Sequence, residues 1–89
     1  MPKAMVVDDS ALMRKVLIKI LQENTHFDVV ADAENGLDAY EKYKKFKPDL
    51  VTMDMIMPVM SGVDSLMKIV KEFPEAKIVM VSAMNKNIW

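Results

Sequence analysis

Three aspartates stand directly after short, mainly apolar runs in this sequence of 89 residues. Asp8 and Asp9 follow the run AMVV, and Asp54 follows the run LVTM. Carboxylates crowded into one place repel one another, and at least one tends to keep its proton unless a cation is present. A site made only of oxygen ligands suits Mg²⁺, which usually takes one or two protein carboxylates and completes its shell with water or phosphate oxygen. The three acids therefore predict a magnesium site, provided that the fold brings them together.

A simpler interpretation applies to each acid taken singly. Aspartate often ends strands and caps helices, so a solvated loop residue is a sufficient explanation for Asp8, Asp9 or Asp54 taken alone. Three such residues at the ends of successive apolar runs are much harder to explain in this way. Their joint placement favours a shared pocket.

Composition excludes several other functions. Twelve Lys and Arg against thirteen Asp and Glu leave a net charge of −1, so the chain lacks the basic field on which binding to nucleic acid relies. The sequence contains no cysteine, which rules out disulfides and thiolate metal ligands and is in keeping with a reducing compartment. The longest apolar runs fall far short of the roughly 20 residues of a membrane span. We expect a soluble cytoplasmic protein that binds neither nucleic acid nor membrane.

Strands and helices are predicted to alternate along the chain. Short apolar runs typical of buried strands alternate with segments of helical periodicity. The predicted strands are residues 4–7, 27–33, 50–53 and 77–81, and the predicted helices are residues 11–23, 35–46 and 63–73. This alternation indicates one α/β domain, residues 1–89, with a parallel sheet and helices on both faces. In a flavodoxin-like strand order of 2-1-3-4, strands one and three are neighbours, and ligands bind outside their carboxyl ends.

The helical periodicity also predicts which side chains face inward. The second helix is expected to direct its large apolar residues toward the core: Leu37, Tyr40, Tyr43 and Phe46. The third helix carries an apolar stripe at helical spacing: Val63, Leu66, Met67, Val70 and Phe73. Four lysines are interpreted as the solvated end of the second helix: Lys42, Lys44, Lys45 and Lys47.

Three segments of the sequence resemble a known family. The segments MVVDDSALMRK, VTMDMIMPVMSG and IVMVSAM resemble the receiver domain of bacterial two-component response regulators, most closely chemotaxis receivers and the receiver half of chemotaxis methylesterases. The shared features are an acidic pair, a single acid followed by proline at four residues and glycine at eight, and a small hydroxyl residue. The resemblance runs from Lys3 to Met84 and implies the flavodoxin-like, receiver-type fold.

The resemblance implies a role for each candidate site residue. Asp54 would accept a phosphoryl group from a histidine kinase, as a phospho-acceptor and not as an enzyme, with at most self-phosphorylation or self-dephosphorylation. Asp8, Asp9 and Asp54 would hold Mg²⁺ with the backbone carbonyl of Ile56, and Ser82 would be the switch hydroxyl that contacts the phosphoryl group. The chemistry is reasonable, because a carboxylate can act as a nucleophile and phosphoryl transfer mainly requires positioning and charge neutralisation.

The sequence also departs from the family pattern. A complete receiver continues with a helix, a fifth strand that ends in lysine and proline, and a last helix, whereas this sequence stops at NKNIW. We therefore expect a C-terminally truncated receiver that lacks the last helix-strand-helix and is impaired in output. The fourth strand would become an exposed apolar edge, which favours a homo-oligomer through that edge or by exchange of segments.

Two alternative functions remain open. A shortened assembly module without phosphotransfer is favoured by the missing lysine, whereas the intact acids favour the phospho-acceptor. A Mg²⁺-dependent phosphohydrolase of similar topology would need a second aspartate two residues after the nucleophile. Ile56 occupies that position, which makes this third function the weakest of the three.

Overall fold

The structure, a computed structural model, describes residues 1–81. Strands and helices alternate through this part of the chain, as the periodicity predicts. They are β1 (Lys3–Val7), α1 (Ala11–Asn24), β2 (Asp28–Ala33), α2 (Gly36–Phe46), β3 (Leu50–Asp54), α3 (Gly62–Glu72) and β4 (Ile78–Val81).

The four strands form one parallel sheet in the order β2-β1-β3-β4. This order confirms the flavodoxin-like arrangement predicted from the sequence. Val7 in β1 is in register with Met53 in β3, so Asp8 and Asp54 are the next residues of two neighbouring strands. The topology therefore brings two acids that are far apart in sequence to the same edge of the sheet.

The main core lies between one face of the sheet and the helices α2 and α3. Alternate residues of β1 and β3 point toward these helices because side chains alternate across a strand. The buried members of this core are Met5, Val7, Ala33, Ala39, Tyr43, Val51, Met53, Met57 and Ile69. Ala4 and Val6 are also buried and alternate with the core residues of β1, and α1 packs against β1 and β2.

The buried sides of α2 and α3 differ in part from the prediction. Tyr43 is buried, but Leu37 is 42% exposed and Met67 on α3 is 66% exposed, so the expectation of an inward Leu37 is wrong. The residues that α2 and α3 bury are mostly small: Gly36, Ala39, Tyr43, Gly62, Ser65 and Ile69. Small residues let the two helices approach closely, and this contact turns the apolar stripe of α3 partly toward solvent.

Side chains cap the start of all three helices. The side chain of Ser10 accepts a hydrogen bond from the amide of Met13, that of Asn35 from the amide of Asp38, and that of Ser61 from the amide of Asp64. Such caps satisfy backbone donors that a helix leaves unpaired. Among the helices of residues 1–81, none combines the length and apolar character that a membrane span requires.

Candidate metal and phosphoryl-acceptor site

The carboxylates of Asp8, Asp9 and Asp54 meet at the carboxyl edge of β1 and β3. One oxygen from each residue lies within 4.8 Å of the others. Asp8 and Asp54 are almost completely buried, with 4% and 3% of their surface exposed, whereas Asp9 is exposed. Two of the three acids are thus buried in the protein, and the third leaves the cluster accessible from solvent. A metal ion or a phosphoryl donor can approach from that side.

Asp8 is fixed by hydrogen bonds on both its backbone and its side chain. Its amide donates to the carbonyl of Ala33 in β2 at 3.0 Å. Its Oδ1 accepts from the amide of Ser10 at 2.9 Å, and its carbonyl oxygen accepts from Nη1 of Arg14 at 2.8 Å. Asp8 therefore has little freedom to move when a ligand binds.

Asp54 is held by the return of the chain into α3. The amide of Gly62 donates to the carbonyl of Met55 at 2.9 Å, which closes the loop of residues 55–61. A Cβ on Gly62 would lie 1.8 Å from the carbonyl oxygen of Asp54, so only glycine permits this approach. This glycine is the one that follows Asp54 by eight residues in the receiver-like motif, and the structure shows the contact that requires it.

The composition and size of the cluster suit Mg²⁺. All three side chains offer oxygen, the ligand atom that Mg²⁺ prefers, and Mg²⁺–oxygen bonds are about 2.0–2.1 Å long. Two oxygens on one such ion are therefore at most about 4.2 Å apart. The three carboxylate oxygens lie within 4.8 Å of one another, which is close to the separation that one Mg²⁺ ion requires of its ligands.

The other two predicted site residues are Ile56 and Ser82. Ile56 lies in the loop after Asp54 and is 69% exposed. Its side chain has no ligand atom, so its predicted role concerns the backbone carbonyl alone, and that role remains a prediction. Ser82 lies outside the described residues. Its role as a switch hydroxyl remains a prediction.

An ionic network beside the acids does not follow from the sequence patterns. Nε of Arg14 pairs with Oδ2 of Asp32 at 2.8 Å, and Nζ of Lys42 donates to the carbonyl of Asp32 at 2.6 Å and pairs with Asp38 at 3.1 Å. Lys42 is thus tied to β2, so its interpretation as a solvated helix end is incomplete. An arginine four residues after the Ser10 cap is the only sequence signal that could have indicated this network.

The comparison with sequence families supports the resemblance. Residues 4–88 match the response regulator receiver domain. The chain is 46% identical over 86 residues to the chemotaxis protein CheY of Listeria monocytogenes, covering 97% of this chain and 71% of that protein. It is 48% identical over 84 residues to a protein-glutamate methylesterase/protein-glutamine glutaminase of Methanosarcina mazei, covering 94% of this chain but only 23% of that protein.

Solved structures show the same likeness. The response regulator domain of Thermotoga maritima CheB is 39% identical with a TM-score of 0.88, over 98% of this chain and 64% of that one. A chain of the CheX-CheY-BeF₃-Mg²⁺ complex of Borrelia burgdorferi is 32% identical with a TM-score of 0.89, over 98% of this chain and 66% of that one. The chain thus spans about two thirds of the length of these structures. On the profile match, the identities and the shared fold, this chain belongs to the response regulator receiver family, of the chemotaxis type found in CheY and CheB.

Proposed function

We propose that this chain is a phospho-acceptor signalling module in which Asp54 receives a phosphoryl group from a histidine kinase in the presence of Mg²⁺. The observation that carries the proposal is the cluster of Asp8, Asp9 and Asp54, in which Asp54 is almost completely buried. Family membership supports it, because receivers of this type take part in two-component signalling.

In the proposed reaction, Asp54 is the nucleophile. An oxygen of the Asp54 carboxylate attacks phosphorus, the bond between phosphorus and the histidine nitrogen of the donor breaks, and that nitrogen leaves with the bonding electron pair. The product is an acyl phosphate on Asp54. Asp8 and Asp9, with the carbonyl of Ile56, would hold Mg²⁺, and the bound ion would neutralise charge on the phosphoryl oxygens. Ser82 would donate a hydrogen bond to the phosphoryl group after transfer.

Labelling of Asp54 by a small phosphodonor tests the proposal. Incubation of the 89-residue chain with a donor such as acetyl phosphate should add one phosphoryl group in the presence of Mg²⁺ and none in the presence of a chelator. Asp54→Asn should abolish the labelling because an amide oxygen is not a comparable nucleophile. Intact-mass spectrometry measures the added group directly, and peptide mapping assigns its position.

Asp28→Asn is a matched control for this experiment. Asp28 is an exposed acid at the start of β2, at the opposite end of the sheet from the cluster, so labelling should be unchanged in that variant. A folded wild-type chain that takes up no label with Mg²⁺, or a label that persists in Asp54→Asn, would contradict the proposal. The first outcome would favour the assembly module without phosphotransfer.

A second proposal concerns self-association. Within residues 1–81, β4 pairs only with β3 and forms one edge of the sheet, and Val79 in this strand is 51% exposed. An apolar edge strand is a template for pairing with another chain. We propose a homo-oligomer formed through β4 or by exchange of segments, as a property added to the phospho-acceptor function. A chain that sediments as a monomer up to high concentration would contradict this proposal.

A further inference from the structure

Arg14 reaches from α1 to the ends of two strands beside the acidic cluster. Its Nη1 donates to the carbonyl oxygen of Asp8 at 2.8 Å, and its Nε donates to Oδ2 of Asp32 at 2.8 Å. Its side chain is only 17% exposed, although it carries a full positive charge. An arginine so placed loses part of its hydration, and the two acceptors replace it.

The carbonyl that Arg14 binds belongs to the peptide group between two of the clustered acids. That peptide joins Asp8 to Asp9, so its orientation decides where the carboxylate of Asp9 stands relative to that of Asp8. The amide of Asp8 is already held by Ala33, and its Oδ1 accepts from Ser10. The hydrogen bond from Arg14 acts on a third polar group of Asp8, the carbonyl oxygen of the peptide that leads to Asp9.

The other partner of Arg14 is itself immobilised. Asp32 belongs to β2, and its carbonyl oxygen accepts a hydrogen bond from Nζ of Lys42 at 2.6 Å. Lys42 also pairs with Asp38 on its own helix at 3.1 Å. Arg14 thus connects the Asp8–Asp9 peptide to a fixed point on the neighbouring strand, and two directed donors of one planar guanidinium define the connection.

We infer that Arg14 is a positioning residue for the metal site: it holds the Asp8–Asp9 peptide, through Asp32, in the orientation in which the acids bind a divalent cation together. The inference rests on the proposed function, because it requires that the cluster bind Mg²⁺. Partners that orient metal ligands without touching the metal typically change metal affinity by about 10–100-fold when they are mutated.

The sign of the change separates positioning from simple charge effects. Arg14 is a cation close to a cation site, so its removal should strengthen metal binding if only its electrostatic repulsion mattered. Loss of positioning predicts the opposite, a weaker metal site. A purely structural role would lower the stability of the fold and leave the metal affinity of the folded protein unchanged.

Three variants test the inference, with metal affinity as the readout. Binding of Mn²⁺ is measured from the EPR signal of the free ion, and binding of Mg²⁺ from its competition with Mn²⁺. Arg14→Met keeps the aliphatic part of the side chain and removes both donors. Arg14→Lys keeps the positive charge but not the planar pair of donors. Asp32→Asn removes the negative charge of the side chain to which Nε of Arg14 donates. We expect Arg14→Met and Arg14→Lys to weaken metal binding about tenfold or more, and Asp32→Asn to weaken it less.

Lys15→Met is the matched control. Lys15 is the next residue of α1 and is exposed. Its replacement by methionine removes one positive charge, as Arg14→Met does, so this variant should bind metal as tightly as wild type or slightly more tightly. Equal or tighter binding in both Arg14 variants would overturn the inference. If Arg14→Met does not fold, Arg14→Lys and Asp32→Asn decide the question in the same way.

The outcome for wild type separates this inference from the proposed function. A wild-type chain that binds no divalent cation contradicts both. A wild-type chain that binds Mg²⁺ and is labelled on Asp54, together with Arg14 variants of undiminished affinity, contradicts the role of Arg14 alone.

Discussion

At the scale of single residues, the position of Asp54 depends on a residue that has no functional group. Gly62 begins α3 directly against the carbonyl of Asp54, and its amide closes the loop of residues 55–61 on Met55. The acid and the glycine are eight positions apart in the sequence, and the close contact explains why the later position carries no side chain. The geometry of the site thus depends partly on the absence of a side chain at Gly62.

Gly62→Ala should therefore damage both stability and phosphorylation. The added methyl group would stand 1.8 Å from the carbonyl oxygen of Asp54, which forces the backbone apart. Overpacking of this kind costs about 2–3 kcal/mol of unfolding free energy. A displaced nucleophile should slow labelling by up to about 100-fold. Urea unfolding and the initial rate of labelling measure the two effects.

Met67→Ala is the control for this change on the same helix. Met67 is 66% exposed, so its truncation should alter the unfolding free energy by less than about 0.5 kcal/mol and leave the labelling rate as in wild type. Wild-type stability in Gly62→Ala would show that the helix does not approach Asp54 as closely as described.

At the scale of elements, the contact between α2 and α3 includes a polar clamp around Tyr40. Its hydroxyl donates a hydrogen bond to the carboxylate of Glu72 on α3. The ammonium groups of Lys44 and Lys68 lie 4.7 and 4.6 Å from the centre of its ring, one from each helix. Below this clamp, Oγ of Ser65 donates to the carbonyl of Gly36 at 2.7 Å. The two helices are thus joined by polar contacts as well as by apolar packing.

The clamp predicts a dependence of stability on alkaline pH. The pKa of Tyr40 is raised above 10.0, first because its neutral hydroxyl donates to Glu72 and then through burial and the negative charges of Glu72 and Glu41. The fold therefore favours the protonated phenol. The protonated hydroxyl of Tyr40 contributes fully to stability below 10.0, the pKa of tyrosine in the unfolded chain. This contribution is lost as the pH rises through the raised pKa of Tyr40 in the folded protein.

Tyr40→Phe should therefore reduce the loss of stability above pH 10. The variant keeps the ring and both lysines, so any difference in the pH dependence belongs to the hydroxyl. We expect wild type to be the more stable protein near neutral pH and the gap to narrow as the pH increases from 9 to 11. Urea unfolding at a series of pH values measures the gap, and a constant gap would contradict a bond that depends on the neutral phenol.

At the scale of the whole molecule, the described part of the chain exposes apolar surface on β4 and α3. Val79 on β4 and Met67 on α3 are both more than half exposed. On α3, an open and mainly apolar surface patch is formed by Leu66, Met67, Val70 and Lys71. Surfaces of this kind favour association when they are continuous, and the edge of β4 also offers backbone hydrogen bonds to a partner strand.

Val79→Lys should consequently shift the chain toward the monomer. A lysine on an edge strand opposes strand pairing because it would bring charge into an apolar contact. We expect sedimentation equilibrium to give a dissociation constant at least about tenfold higher than for wild type, equivalent to about 1.4 kcal/mol. Leu37→Lys on α2 makes the same change at a residue of similar exposure, 42%, and should leave association unchanged. Equal effects of the two variants would place the interface elsewhere.

Much of the fold could be predicted from the sequence because it rests on local signals. The apolar runs and helical periodicity predict four strands and three helices in the observed order, and the caps at Ser10 and Asn35 are typical helix starts. The motif around Asp54 likewise indicated which acids belong together. These features depend on neighbours in sequence, and the one long-range step, the strand order, follows from general rules of parallel sheets.

The tertiary structure alone decided how the site is held. Which side of α3 is buried depends on its contact with α2, and so the apolar stripe that includes Met67 did not predict it. Arg14 lies within the segment MVVDDSALMRK, but no local pattern reveals its two acceptors, because they lie at the ends of two different strands. The sequence by itself determined which residues we propose to bind a metal and to accept a phosphoryl group. Only the packing of distant elements decided which residues fix them in place, since those contacts join positions that no local pattern connects.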